Sequence, residues 1–63
     1  MDSETIRETF GLDTDGQVRA VQAAIERIAA EDAVDEEEAA DILWGNGNFT
    51  ARLSDREFAA FQD

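Results

Sequence analysis

The sequence predicts a small, all-α or mainly α domain, and three observations carry that expectation. Apolar residues recur at helical spacing. Residues able to satisfy free backbone N–H groups stand ahead of each such run. The 63-residue chain contains no proline, and a single short segment shows the alternation of a strand. The expected architecture is one domain, residues 1–63, of three to four helices, with a short hairpin around Asn46-Gly47 as a variant.

The first helix is expected from Ser3 to Phe10. Ile6 and Phe10 lie four apart on one face, Gly11 can take the left-handed stop conformation, and Leu12 then turns back towards Ile6. The second and longest helix begins at Thr14, where Thr14 and Gln17 can form a reciprocal capping box, and runs to Glu31. Val18, Val21, Ile25 and Ile28 follow 3-4-3 spacing, with Gln22, Glu26 and Arg27 on the other face. Two heptads are too few for a coiled-coil seam, so this is read as the central core helix.

A third helix starts at Asp35, with Glu38 as capping partner and Val34 as a staple against Ala39. It ends at Gly45-Asn46-Gly47-Asn48, a run tolerant of positive φ. Phe49 to Leu53 then alternates apolar and polar, and Asn46-Gly47 is a favoured hairpin turn. Pairing residues 42–45 with 48–51 would sacrifice the end of the third helix, so a helix-turn connection is preferred. Ser54-Asp55-Arg56-Glu57 is a capping box for a fourth helix, with Leu53 and Phe58 as its staple and with Phe58 and Phe61 facing inward.

The core must come from Ile6, Phe10, Leu12, Val18, Val21, Ile25, Ile28, Val34, Ile42, Leu43, Trp44, Phe49, Leu53, Phe58 and Phe61, with eleven alanines between them. Such a length is close to the lower limit for a fold without disulfides or a structural metal, so dimerisation or salt enters as support.

Sixteen acids and five basic residues give a net charge of -11, beyond the magnitude of about 2–8 comfortable for a small domain. The basic residues are Arg7, Arg19, Arg27, Arg52 and Arg56, and lysine is absent. Such a surface repels itself, whereas at about 1 M salt the Debye length falls to roughly 3 Å and the penalty is screened. Acid-rich, lysine-free and alanine-rich, the chain resembles in composition the cytoplasmic proteins of salt-in extreme halophiles, the haloarchaea above all. That resemblance implies a concentrated-salt solvent and leaves fold and activity open.

Without His, Cys, Lys or Tyr, the usual nucleophiles and general bases are missing, and a nonenzymatic protein with no catalytic residue, cofactor or metal is expected. Asp13-Thr14-Asp15-Gly16 matches part of a calcium loop. Setting Gly16 as the loop glycine, however, puts Gly11 where the first carboxylate belongs and Gln22 where the bidentate glutamate belongs. The run Glu31 to Asp41 holds seven acids and no base, read as the solvated face of a salt-adapted protein before a docking patch for a basic partner. Asn48-Phe49-Thr50 matches a glycosylation sequon, taken as chance because no export signal leads the sequence. No stretch approaches the roughly 20 apolar residues of a membrane span, and a cytoplasmic location is expected.

The expected function is therefore a nonenzymatic protein–protein interaction or regulatory module adapted to high salt. Its partner is another protein or a second copy, rather than nucleic acid, a membrane or a small molecule. The candidate surface is Trp44, Phe49, Arg52, Arg56 and Phe61, in the aromatic and least acidic part of the chain. Two alternatives are a winged-helix-like nucleic-acid-binding regulator with Arg52 and Arg56 as contacts, and an acidic mimic of a nucleic-acid backbone. The plainer role for Arg52 and Arg56 is surface ion pairing with Asp55 and Glu57. Screening makes a direct prediction: helical circular dichroism and melting temperature should both rise as NaCl goes from about 0.1 M into the molar range, and an unchanged pair would refute salt adaptation.

Overall fold

The computed structural model describes residues 1–45 and 47–62. In chain order these form α1 (Ser3–Phe10), α2 (Asp15–Asp32), α3 (Glu36–Trp44), a 3-10 turn (Phe49–Arg52) and α4 (Asp55–Phe61). The expected all-α domain is what forms.

Local polar chemistry sets the helix starts. Asp2 accepts from the Thr5 N–H at 2.8 Å, and that bond holds its carboxyl below the usual carboxylate range. Thr14 Oγ1 accepts from the Gln17 N–H at 3.1 Å, while Gln17 Oε1 accepts from the Asp13 and Thr14 N–H groups at 2.7 and 3.3 Å. Ser54 and Glu57 exchange the same pair of bonds at the head of α4. At α3 only half of the expected box forms: Asp35 accepts from the Glu38 N–H at 2.9 Å, and the acids of the first turn serve the positive end of the helix.

The helix ends differ more from one another. Gly11 adopts φ 64°, and the Leu12 N–H reaches back to the Arg7 carbonyl at 3.0 Å, the bond that defines a Schellman stop. Arg7 also pairs with Asp15 at 2.6 Å and donates to the Asp13 carbonyl at 3.2 Å, which pins the loop into α2. The same stop ends α2, but with an alanine in the left-handed position. Ala33 sits at φ 56°, and the Val34 N–H donates to the Ala29 carbonyl at 3.1 Å.

The four elements meet on α2. Val18, Val21, Ala24, Ile25 and Ile28 are buried against Ile6, Phe10 and Leu12 from one side and Ala39, Ala40 and Leu43 from α3. Ile6, Ile25, Leu43 and Val21 are the largest side chains that are fully enclosed. α1, α3 and α4 each pack on α2 far more than on one another, as expected when one amphipathic helix supplies the only broad apolar stripe.

The hairpin around Asn46-Gly47 does not form. Ile42 to Trp44 stay helical and Phe49 to Arg52 coil into the 3-10 turn, so no strand occurs among the described residues; Asn46 itself lies outside them. The preferred helix-turn connection is what forms, with α3 ending at Trp44 and the turn beginning at Gly45. Gly45 at φ 52°, ψ -114° has the backbone of the first central residue of a type II′ turn, and the Gly47 N–H bonds the Trp44 carbonyl at 2.7 Å.

Two expected core residues are not enclosed, since Trp44 and Phe58 are each 41% exposed. Val34, Ile42, Leu53 and Phe61 are only partly covered. Among the described residues no helix is long and apolar enough to cross a membrane.

Ala33 offers a test of the backbone account. An L-residue in the left-handed region costs roughly 1–2 kcal/mol, and glycine recovers part of it against its own larger unfolded-state entropy. Ala33→Gly, at an exposed site, should therefore raise stability by about 0.5–1 kcal/mol in chemical denaturation, and a destabilised variant would refute the assignment.

Candidate functional site

Of the five residues expected to form a surface, the structure brings four to one corner of the molecule and commits several of them to the fold. Trp44 is the last residue of α3, so the chain leaves the helix as its indole leaves the core. Its ring stacks on Phe49 with centroids 5.8 Å apart and planes 18° apart, and meets Phe10 edge-on at 5.5 Å. Phe49 in turn takes Phe10 at 5.1 Å and Phe61 at 5.8 Å, both edge-on.

Phe49 is thus the hub of an aromatic cluster joining α1, α3, the 3-10 turn and α4. At 9% exposure it is a core residue, which corrects its place on the candidate surface. Its alternating neighbours resembled a strand, but a 3-10 turn lets this one ring reach inward while Ala51 and Arg52 face out. Phe61 is half-buried beside it, and Trp44 keeps one face free. Offset and edge-on ring pairs contribute about 0.5–1.5 kcal/mol each beyond the area they bury, so the corner is well held without being closed.

Arg52 does not pair with Asp55 or Glu57. Its guanidinium turns back and donates to the Ile42 carbonyl, one of the free C=O groups at the end of α3. It lies over Gly45 so closely that a Cβ there would stand 2.6 Å from Nη2. The positive φ favours glycine at 45, and a side chain there would have to displace the flexible end of Arg52. Arg56 stands exposed on the outer side of α4, with no ion-pair partner among the described residues.

The residues that sequence reasoning missed are Arg27 and Glu57. Glu57, 7% exposed, is the only buried charged residue among those described. Arg27 Nε and Nη2 donate to its two carboxylate oxygens at 2.9 and 3.1 Å, a two-pronged pairing that fixes orientation as well as charge. Nη2 also donates to the Arg52 carbonyl at 3.0 Å, and Nη1 reaches Glu31 at 3.4 Å. One arginine of α2 therefore holds both the start of α4 and the end of the 3-10 turn.

No local pattern links residues 30 apart, but a signal existed. If Phe61 faces inward, Glu57, one turn earlier on the same stripe, must do so too, and a buried carboxylate requires a cation. Burial pushes the Glu57 carboxyl up, while the bonds from Arg27 and from the Ser54 N–H pull it down further; it ends below its ordinary value. Arg27 is raised correspondingly, first by its bond to Glu57.

The seven-acid run occupies the other end of α3. Asp35 is committed as a cap, Glu36 pairs with the amino group of Met1, and Glu31 lies against Arg27. Among the described residues there is no group of acids placed to hold a metal ion, and no pocket. Comparison with protein-family models, with curated proteins and with solved structures finds no match.

A carboxylate whose native value is depressed stabilises the fold above its unfolded value of 4.5, and that contribution is lost as pH falls through the lower native value. Glu57→Gln keeps the oxygen that accepts from Ser54 and removes the charge facing Arg27. At neutral pH it should cost about 1.5–3 kcal/mol, the range for hydrogen bonds to charged groups. In molar salt, where general repulsion is screened, that difference should shrink towards zero as both chains are acidified below pH 4.5, as urea denaturation would show.

Proposed function

We propose that this chain is a nonenzymatic interaction or regulatory module suited to concentrated salt, acting through the open face of its aromatic corner. One observation carries the reading. Trp44 remains 41% exposed although its ring stacks on Phe49 and meets Phe10 edge-on. A rigid, half-exposed tryptophan gives a large apolar contact with little side-chain entropy left to lose, which is why tryptophan is enriched among residues that dominate binding energy.

The charge around it supports the same reading. Residues 42–62 hold two acids and two arginines, against a net charge of -11 for the chain, and depletion of charge characterises the centre of an interface. The missing nucleophiles and bases weigh against catalysis. The winged-helix alternative needs a two-stranded wing, and with Phe49 to Arg52 in a 3-10 turn it has no geometric support.

The test is capture of a partner on immobilised full-length chain at molar salt, with Trp44→Ala as the comparison and folding checked by circular dichroism. Partner recovery should fall by at least about tenfold on loss of a central aromatic anchor worth 2 kcal/mol or more. Recovery of nucleic acid instead, lost on Arg56→Ala and kept on Trp44→Ala, would overturn the reading.

A further inference from the structure

The four helices are not held by the same forces. The largest fully enclosed side chains, Ile6, Val21, Ile25 and Leu43, belong to α1, α2 and α3. On α4, by contrast, Ala60 and Phe61 are only partly covered, Phe58 is exposed, and the one buried residue is the carboxylate Glu57. The deepest part of the core is therefore assembled from the first three helices.

Glu57 is met by one cation. From α2, Arg27 donates to both carboxylate oxygens at 2.9 and 3.1 Å, and Glu31 on the same helix reaches that arginine at 3.4 Å. The 3-10 turn offers the Arg52 carbonyl, which accepts from Arg27, while the Arg52 guanidinium is turned onto the Ile42 carbonyl. At the head of α4 the Ser54 N–H donates to Glu57, and the neighbouring Asp55 and Arg56 are exposed. A proton on Glu57 thus leaves Arg27 with Glu31 alone, whose side chain is open to water.

We infer that α4 is an acid-released strap: protonating Glu57 lets it leave α2 as a unit while α1, α2 and α3 stay folded, and its departure uncovers Phe49. Phe10 and Trp44 meet the Phe49 ring from α1 and α3, and Phe61 alone meets it from α4. Release withdraws Phe61 and leaves the stacked Trp44 and Phe49 rings as an enlarged open face. This goes beyond the proposed interaction function and holds whatever the corner binds.

A paired carboxylate held below its ordinary value stabilises its contact above the unfolded value of 4.5, and that contribution is lost as pH falls through the lower native value. The rest of the chain responds differently. Protonating the 16 acids takes the net charge from -11 towards that of the five arginines alone, so repulsion across α1, α2 and α3 falls. The Arg7–Asp15 and Met1–Glu36 pairs are lost as well, but Asp15 and Glu36 are exposed, and surface pairs contribute little. An element seated partly by one sheltered charge pair can then open apart from a core held by apolar burial.

Amide hydrogen exchange of the full chain in molar NaCl, where general repulsion is screened, tests this at neutral pH and at about pH 3. Protection, corrected for the pH dependence of unstructured amides, should fall at residues 58–61 by at least about tenfold in acid, the size of a lost hydrogen bond to a charged group. At residues 21–28 it should change by less than about twofold, as for a separate cooperative unit. The amides of α4 should share one urea dependence, as release of packed surface requires. Glu57→Gln should open α4 to the same extent at neutral pH and abolish the further loss in acid, whereas Glu31→Gln, which removes the exposed acid beside Arg27, should do neither. Joint loss of protection in α2 and α4 would be ordinary acid unfolding and would overturn the inference. Opening of α4 without urea dependence, which is fraying, or unchanged protection of α4 in acid would overturn it too.

Discussion

Burial of one helix stripe is the constraint on which this fold depends. Val21, Ala24 and Ile25 of α2 are completely enclosed, and every other helix gains most of its cover by lying on them. With 63 residues there is no second layer to share the work. A helix of eight or nine residues is marginal alone in water, so α1 and α3 exist because Ile6, Phe10, Ala39, Ala40 and Leu43 reach that stripe. α4 is different in kind. Its seven residues bury no apolar side chain fully, and its one buried residue is Glu57. Phe61, half-buried against Phe49, and the two-pronged bond from Arg27 to Glu57 together seat α4, so its attachment is partly polar.

Two kinds of electrostatics therefore coexist and respond oppositely to solvent. The repulsion summed over 16 acids acts across water between exposed groups and disappears with screening. The Arg27–Glu57 pair is short, two-pronged and sheltered, with side-chain exposures of 33% and 9%, so salt weakens it much less. Raising the salt removes the force that expands the chain and spares the contact that holds its last helix. Acid has the reverse effect on the pair: protonating the general surface relieves repulsion, while protonating Glu57 leaves Arg27 facing a neutral group.

Sequence made visible what is local and left hidden what is not. The caps at Thr14, Asp35 and Ser54, the glycine stop at 11 and the 3-4-3 stripe of α2 all depend on residues within a turn or two of each other, and each was readable from spacing. Ala33 was not, because alanine is the best helix former and only the docking of Val34 and α3 forces it into the left-handed region. The turn after α3 was readable from the Gly45-Asn46-Gly47-Asn48 run. That Arg52, seven residues on, would lie over Gly45 was not. At the candidate site, composition located the aromatic region correctly but could not say which rings were hub and which were rim. Phe49 went inward, Phe58 outward, and Arg52 turned onto a carbonyl, each decided by packing between elements.

An exposed aromatic corner is ordinarily a liability, because apolar surface adheres to whatever it meets. Here the rest of the surface limits that. Acids crowd the first turn of α3, at Glu36, Glu37 and Glu38, while the stretch from Ile42 to Gln62 carries two acids and two arginines. Repulsion over most of the body then does what shape alone would have to do on a neutral protein: it narrows the orientations that survive an encounter. The rings themselves are held by Phe10 and Phe49, so the face presents one arrangement and not several. On the proposed reading, selectivity in this small domain comes less from features added to the binding face than from charge placed everywhere else.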